Sequence, residues 1–142
     1  MQSYGQWYRL FTVALMHDQV SDLPYHLAFN MLALHSLGTQ IESVLGRTRF
    51  FAIFFFSLLT GSLTSAYFLP FNGYSIGVSG AVFGLFEAIL VLGRRYGVGM
   101  RAVLVTVGIN LAIGFTIPGI DWRAHVGGLI GGAAIARLLI HK

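Results

Sequence analysis

Gly77-Val78-Ser79-Gly80-Ala81-Val82-Phe83-Gly84 sets a single hydroxyl among three glycines, at the point where an apolar run reaching Gly93 begins. What that serine is for depends on the medium around it. Of the 142 residues, 56 % are hydrophobic and 10 % charged, against about a quarter charged in an ordinary soluble domain. The composition predicts an all-α polytopic membrane protein made of one domain. There are no cysteines, which excludes a disulfide framework and any thiolate metal site. The formal charge of +4 sits in short clusters between apolar segments, not on a polar face, so a nucleic-acid partner is not expected.

Working outward from Ser79, five apolar segments can cross a bilayer, at about 24–42, 50–69, 79–93, 102–117 and 123–140. They are fenced by Gly46-Arg47-Thr48-Arg49, Pro70-Phe71-Asn72-Gly73, Arg94-Arg95-Tyr96-Gly97 and Pro118-Gly119-Ile120-Asp121. If alternate loops share a side, Arg47, Arg49, Arg94, Arg95, Arg101 and Lys142 lie together, which marks that side as cytoplasmic. Asp18, Asp22, the loop from Pro70 to Val78 and Asp121 then face the exterior. Residues 1–22 lack the pattern of a signal peptide and carry Trp7, Tyr8 and Arg9 ahead of an apolar run too short to span. They read as an external loop lying on the membrane interface and contacting lipid.

A helix over 79–93 is about 22 Å long, shorter than a hydrocarbon core of about 30 Å. With Arg94 and Arg95 at the cytoplasmic interface, Ser79 is expected below the outer surface. Backbone at that depth is tolerated where it is buried in protein or lines a wet cavity. The sequence therefore predicts a water-filled pocket, open outward, with Ser79 at its floor.

Other polar residues fall at the same depth. His26 and Asn30, four apart, share one face near the outer end of the first helix, and His125 lies near the outer end of the last. Gly128, Gly132 and Ala136 follow His125 on one side of its helix, while Gly80 and Gly84 make a matching small-residue track after Ser79. Packed along these tracks, the two helices bring Ser79 and His125 level, with His26 and Asn30 able to join them. A hydroxyl beside a neutral imidazole is the minimum for nucleophilic acyl transfer, since the imidazole takes the hydroxyl proton during attack. The oxyanion that follows needs donors, which the free N–H groups at a helix start and the side chains of His26 and Asn30 supply. Glycines beside the serine, Gly77 and Gly80, admit a substrate backbone. Serine among glycines is equally how plain helix packing looks, and single histidines are usually structural. The joint placement of the four residues at one end favours chemistry. No HExxH motif or clustered histidines point to a metal, and no cofactor is expected.

Three pieces, Tyr25 to Asn30 (YHLAFN), Gly77 to Gly84 (GVSGAVFG) and Ala124 to Gly132 (AHVGGLIGG), together resemble the rhomboid family of intramembrane serine proteases. The resemblance runs from about Gln6 to Arg137. It implies Ser79 as nucleophile and His125 as general base of a dyad, with the Ser79 N–H, His26 and Asn30 as oxyanion stabilisers. It further implies that Trp7 to Phe11 belongs to the first external loop, and that Glu42 with Gly46 and Arg47 closes the helix carrying HxxxN. Two departures stand out. The family core has six membrane helices, and the helix expected before the external loop is not visible here. Glu87 stands where the family usually has a small or apolar residue, and a structural hydrogen bond inside the bundle is expected for it. Asp121, four residues before His125, is not expected to complete a triad.

The resemblance implies an endopeptidase that cuts transmembrane protein substrates in or near their membrane segments, in a multi-pass protein of the cell membrane whose site opens to the extracytoplasmic side. It also implies that the helix at 102–117 and the loop 118–122 form a movable gate and cap, with Phe29 opposite. The alternative is a non-catalytic relative that binds membrane helices for quality control or trafficking. The sequence says nothing of oligomeric state or substrate preference.

Overall fold

A computed structural model of the chain describes residues 6–16, 25–68, 75, 77–96, 100–117 and 119–140. His17, Asp18, Asp22, residues 69–74, Gly97, Pro118, His141, Lys142 and the side chain of Tyr25 lie outside the described residues. The described chain is all helical: α1 (Arg9–Thr12) running into a 3-10 turn at Val13–Leu15, then α2 (Tyr25–Leu45), α3 (Arg47–Phe68), α4 (Ser79–Tyr96), α5 (Arg101–Thr116) and α6 (Trp122–Ile140). Two of these, α3 and α6, are long and apolar enough to cross a membrane, and α5 is an apolar helix of 16 residues.

Helix ends follow backbone chemistry more than charge. Gly46 alone separates α2 from α3: at φ +82° it adopts the left-handed conformation that ends a helix cheaply for glycine. Its N–H closes the last turn of α2 on Glu42 C=O at 2.8 Å, and Arg47 Nε meets Glu42 Oε1 across the turn at 2.8 Å. At the other end of α4, Arg94, Arg95 and Tyr96 remain helical. A helix accepts basic residues at its C-terminus, where they complement the helix dipole. α4 thus has 18 residues instead of the 15 read from the sequence, or about 27 Å, and the length argument for a submerged Ser79 loses most of its force.

Where α3, α4 and α6 meet, the buried residues are mostly small, while many large ones face outward. Ser57, Gly61, Ser62 and Ser65 of α3, Gly80, Ala81 and Gly84 of α4, and Gly127, Gly128, Gly131 and Gly132 of α6 are buried, whereas Phe29, Leu32, Phe51, Phe55, Ile109, Ile130 and Leu138 are exposed. In lipid, large apolar side chains need no burial and small ones let backbones approach. The glycine tracks of α4 and α6 meet: a methyl at Gly128 would collide with the Gly80 carbonyl oxygen, and one at Gly132 with that of Gly84. α3 closes on the same seam, with Thr60 and Thr64 lying over Gly131 and Gly127. Below it, Leu37, Ile41, Ile53, Leu85, Leu92 and Ile140 fill an aliphatic core.

α6 packs mainly on α3 and α4, and α2 packs on α4 and α3. α5 is peripheral, with Val107 and Gly114 its buried residues. Glu87 finds Arg137 of α6 at 4.0 Å, an ion pair between α4 and α6 in place of the expected hydrogen bond.

Candidate active site

α4 begins at Ser79, and α6 delivers His125 on its first turn. Because the glycine tracks fix both the spacing and the register of these helices, the side chains meet: Ser79 Oγ and His125 Nε2 are 2.9 Å apart. His125 is buried and Ser79 partly so. For the hydroxyl to donate to Nε2, the imidazole proton resides on Nδ1, and that nitrogen is buried with no hydrogen-bond partner among the described residues. Asp121 does not supply one. Its two oxygens accept from the Ser65 hydroxyl and from the Arg123 N–H, so among the described residues the imidazole is hydrogen-bonded to serine alone.

The imidazole is held by stacking. Phe83, one turn below Ser79 on the same face of α4, lies parallel to the His125 ring with centroids 4.1 Å apart and an interplanar angle of 11°. Gly114 of α5 also approaches the ring, where a methyl would sit 3.4 Å from Nδ1. Phe83 was not singled out from the sequence, although its four-residue spacing from Ser79 carried the signal.

His26 and Asn30 line a cavity of about 220 Å³ together with Ala14 to Met16, Leu27, Met31, Gly77 and Val78. The expected pocket with Ser79 at its floor is not what forms: neither Ser79 nor His125 lines the cavity beside His26 and Asn30. Gly77 is required here twice over: its φ is +92°, and a Cβ would come within 2.7 Å of the His26 ring. Its N–H donates to Val13 C=O at 2.9 Å, tying the segment after α1 to the approach to Ser79. Asn30 is buried and its amide nitrogen donates to His26 C=O at 2.8 Å, leaving one amide hydrogen uncommitted. The ring nitrogen Nδ1 of His26 is buried without a partner among the described residues. Gly80 does not line the cavity. It fills the contact between α3 and α6, where an added Cβ would sit 3.1 Å from Ala124 C=O.

The arrangement comprises a serine hydroxyl at a helix N-terminus, an imidazole within hydrogen-bond reach, and polar side chains around an adjoining cavity. Nearly the whole of this chain matches known proteins. The Rhomboid domain family matches residues 4–142. "Rhomboid protease GluP" of Bacillus subtilis (strain 168) is 39 % identical over 143 residues, covering 95 % of this chain and 26 % of its own. "RHOMBOID-like protein 7" of Arabidopsis thaliana is 36 % identical over 142 residues, covering 95 % and 44 %. "Putative rhomboid protease YdcA" of Bacillus subtilis (strain 168) is 29 % identical over 143 residues, covering 97 % and 70 %. The chain thus spans less than half the length of the first two. With the family matched from end to end, this chain belongs to the rhomboid family.

Proposed function

We propose that this protein is an intramembrane serine endopeptidase acting through Ser79 and His125. The observation that carries the reading is the 2.9 Å contact between Ser79 Oγ and His125 Nε2 at the start of α4. A non-catalytic helix-binding relative has no need to hold a serine against an imidazole whose other nitrogen is shut away from water.

In the proposed reaction Ser79 Oγ attacks the carbonyl carbon of the scissile bond as its proton passes to His125 Nε2. The carbonyl oxygen becomes an oxyanion and accepts from the Ser79 N–H, the free amide hydrogen of Asn30 and the His26 ring. His125 then gives its proton to the departing amine nitrogen, leaving an acyl ester on Ser79. Water attacks the ester as His125 takes its proton, the acid product leaves, and the proton returns to Ser79 Oγ. The cavity bounded by Leu27, Met31 and Val78 receives a small or medium apolar side chain beside the cut.

On this reading all five long helices cross the membrane. α2 and α4 fall short of the apolar windows of α3 and α6; α2 carries His26, Asn30, Gln40 and Glu42, and α4 carries Ser79, Glu87, Arg94 and Arg95. The amino-terminal ends of α2, α4 and α6 meet on the extracytoplasmic side, opposite the Arg47, Arg49, Arg94 and Arg95 cluster. Few buried residues hold α5, and Phe29 of α2 is exposed, which supports entry of a substrate helix between them.

The test is cleavage of a single-span protein substrate co-reconstituted with the purified chain in liposomes. Two product fragments, with a fluorophosphonate probe blocking both the reaction and later labelling of Ser79, are expected. Intact substrate after prolonged incubation, with the chain folded and Ser79 unlabelled, would sink the proteolytic reading. Gly77→Ala supplies a second check. Its methyl meets the His26 ring and its φ is unfavourable, so cleavage falls about tenfold to hundredfold through displaced geometry. The unfolding free energy, read from a denaturation curve in detergent, drops by about 1–2 kcal/mol.

A further inference from the structure

Asp121 immediately precedes α6, and His125 is the fourth residue of that helix. Asp121 Oδ1 accepts the Arg123 N–H at 3.2 Å, the bond a capping residue makes to the first turn. Its second oxygen accepts from the hydroxyl of Ser65, 56 positions earlier at the outer end of α3. Ser65 is buried, with 3 % exposure, among the small residues of the α3–α6 contact. One carboxylate therefore closes the start of the helix bearing His125 and pins that start to a neighbouring helix.

The need for such a pin follows from what surrounds it. With Nδ1 lacking a partner among the described residues, no hydrogen bond on the far side of the imidazole fixes its direction. Its aim at Ser79 depends on the Phe83 stack and on where the first turn of α6 stands. That turn is also where α5 attaches. Phe115 near the end of α5 rests on Trp122, the first residue of α6, at 4.7 Å between centroids, and the connection turns through Gly119 at φ +91°. Any displacement of the loosely held α5 would pull on Trp122, three residues from His125.

We propose that the Ser65–Asp121 contact is a positioning device that isolates His125 from movement of α5, holding Nε2 over Ser79 while α5 shifts. Asp121 acts by holding the helix start and makes no hydrogen bond to the imidazole. It is a positioning residue. This rests on the proteolytic reading above.

The experiment compares the parent chain, Ser79→Ala, Ser65→Ala, Asp121→Ala and Asp121→Asn in the liposome assay, with kcat and KM separated, the rate of Ser79 labelling, and thermal unfolding. Ser65→Ala and Asp121→Ala are expected to lower kcat about tenfold, with KM within about twofold and labelling slowed in parallel. Asp121→Asn keeps an oxygen for the Arg123 N–H and offers an amide to Ser65 Oγ, so it recovers most of what Asp121→Ala loses. Ser65→Ala leaves the cap on α6 in place and decides the matter if Asp121→Ala fails to fold. Ser65→Ala cutting at the parent's kcat overturns the proposal. So does Asp121→Asn as slow as Asp121→Ala, since that would make the charge the active feature, and so does a rise in KM at constant kcat. A parent no faster than Ser79→Ala would instead reject the proteolytic reading itself, and this proposal with it.

Discussion

Ser79→Ala and His125→Ala are each expected to reduce kcat/KM by at least about a thousandfold, and the double variant to be no worse than either alone. The magnitude follows from the division of labour. Without the hydroxyl no acyl ester forms, and without the imidazole the hydroxyl must lose its proton to water in a buried site. Because the 2.9 Å contact joins them into one device, removing the second member takes away what the first removal already disabled. Their effects therefore do not add. His125→Ala should also abolish fluorophosphonate labelling of Ser79 while leaving the fold intact, since the α4–α6 seam is made of glycine backbone rather than of the imidazole. Measured single-variant rates whose logarithms summed to the double variant's would show that serine and histidine act independently, and the dyad would be abandoned. Cleavage surviving in Ser79→Ala would move the nucleophile elsewhere.

How much of this was legible beforehand varies with the range of the interaction. The placements of Ser79 against His125 and of His26 beside Asn30 were legible because each is a polar residue in an apolar helix, at a periodicity that assigns its face. Phe83 was within reach by the same four-residue rule, but an aromatic in an apolar helix gives no contrast with its surroundings. The Ser65–Asp121 bond was out of reach: serine in a membrane helix reads as packing, and nothing local says which of several loop carboxylates it will meet 56 residues later. Gly80 is a different case: its closeness to Ser79 suggests a place beside the substrate, while the period of the helix turns it toward α3 and α6. At helix ends charge was a poor guide, since Arg47 begins α3 and Arg94 to Tyr96 extend α4. Gly46 was the reliable signal, because only its left-handed φ interrupts the helix. The four residues of α1 fell below what periodicity can detect.

The largest expected effect on folding is at Gly128. A Cβ there meets the carbonyl oxygen of Gly80, with the carbonyl carbon 2.7 Å and the Cα 3.1 Å away. All three are backbone atoms of a buried helix and cannot swing aside as a side chain end would. Gly128→Val must force α4 and α6 apart, and the seam offers no slack one turn lower, where Gly132 faces the Gly84 backbone. The cost is set at about 3 kcal/mol or more, the upper part of the range for overpacking a close-packed interior. Gly80 follows Ser79 directly, so the same separation opens the Ser79–His125 contact. Labelling of Ser79 should therefore be lost in whatever fraction remains folded. Gly108 of α5 is the matched control: an added Cβ meets nothing within 4 Å, and Gly108→Ala should stabilise α5 by a few tenths of a kcal/mol to about 1 kcal/mol through helix propensity alone. Thermal or denaturant unfolding of the purified chain in detergent, run beside the labelling rate, separates the two. A Gly128→Val midpoint indistinguishable from the parent's would mean that α4 and α6 are not in backbone contact. The spacing that places His125 over Ser79 would then need another cause.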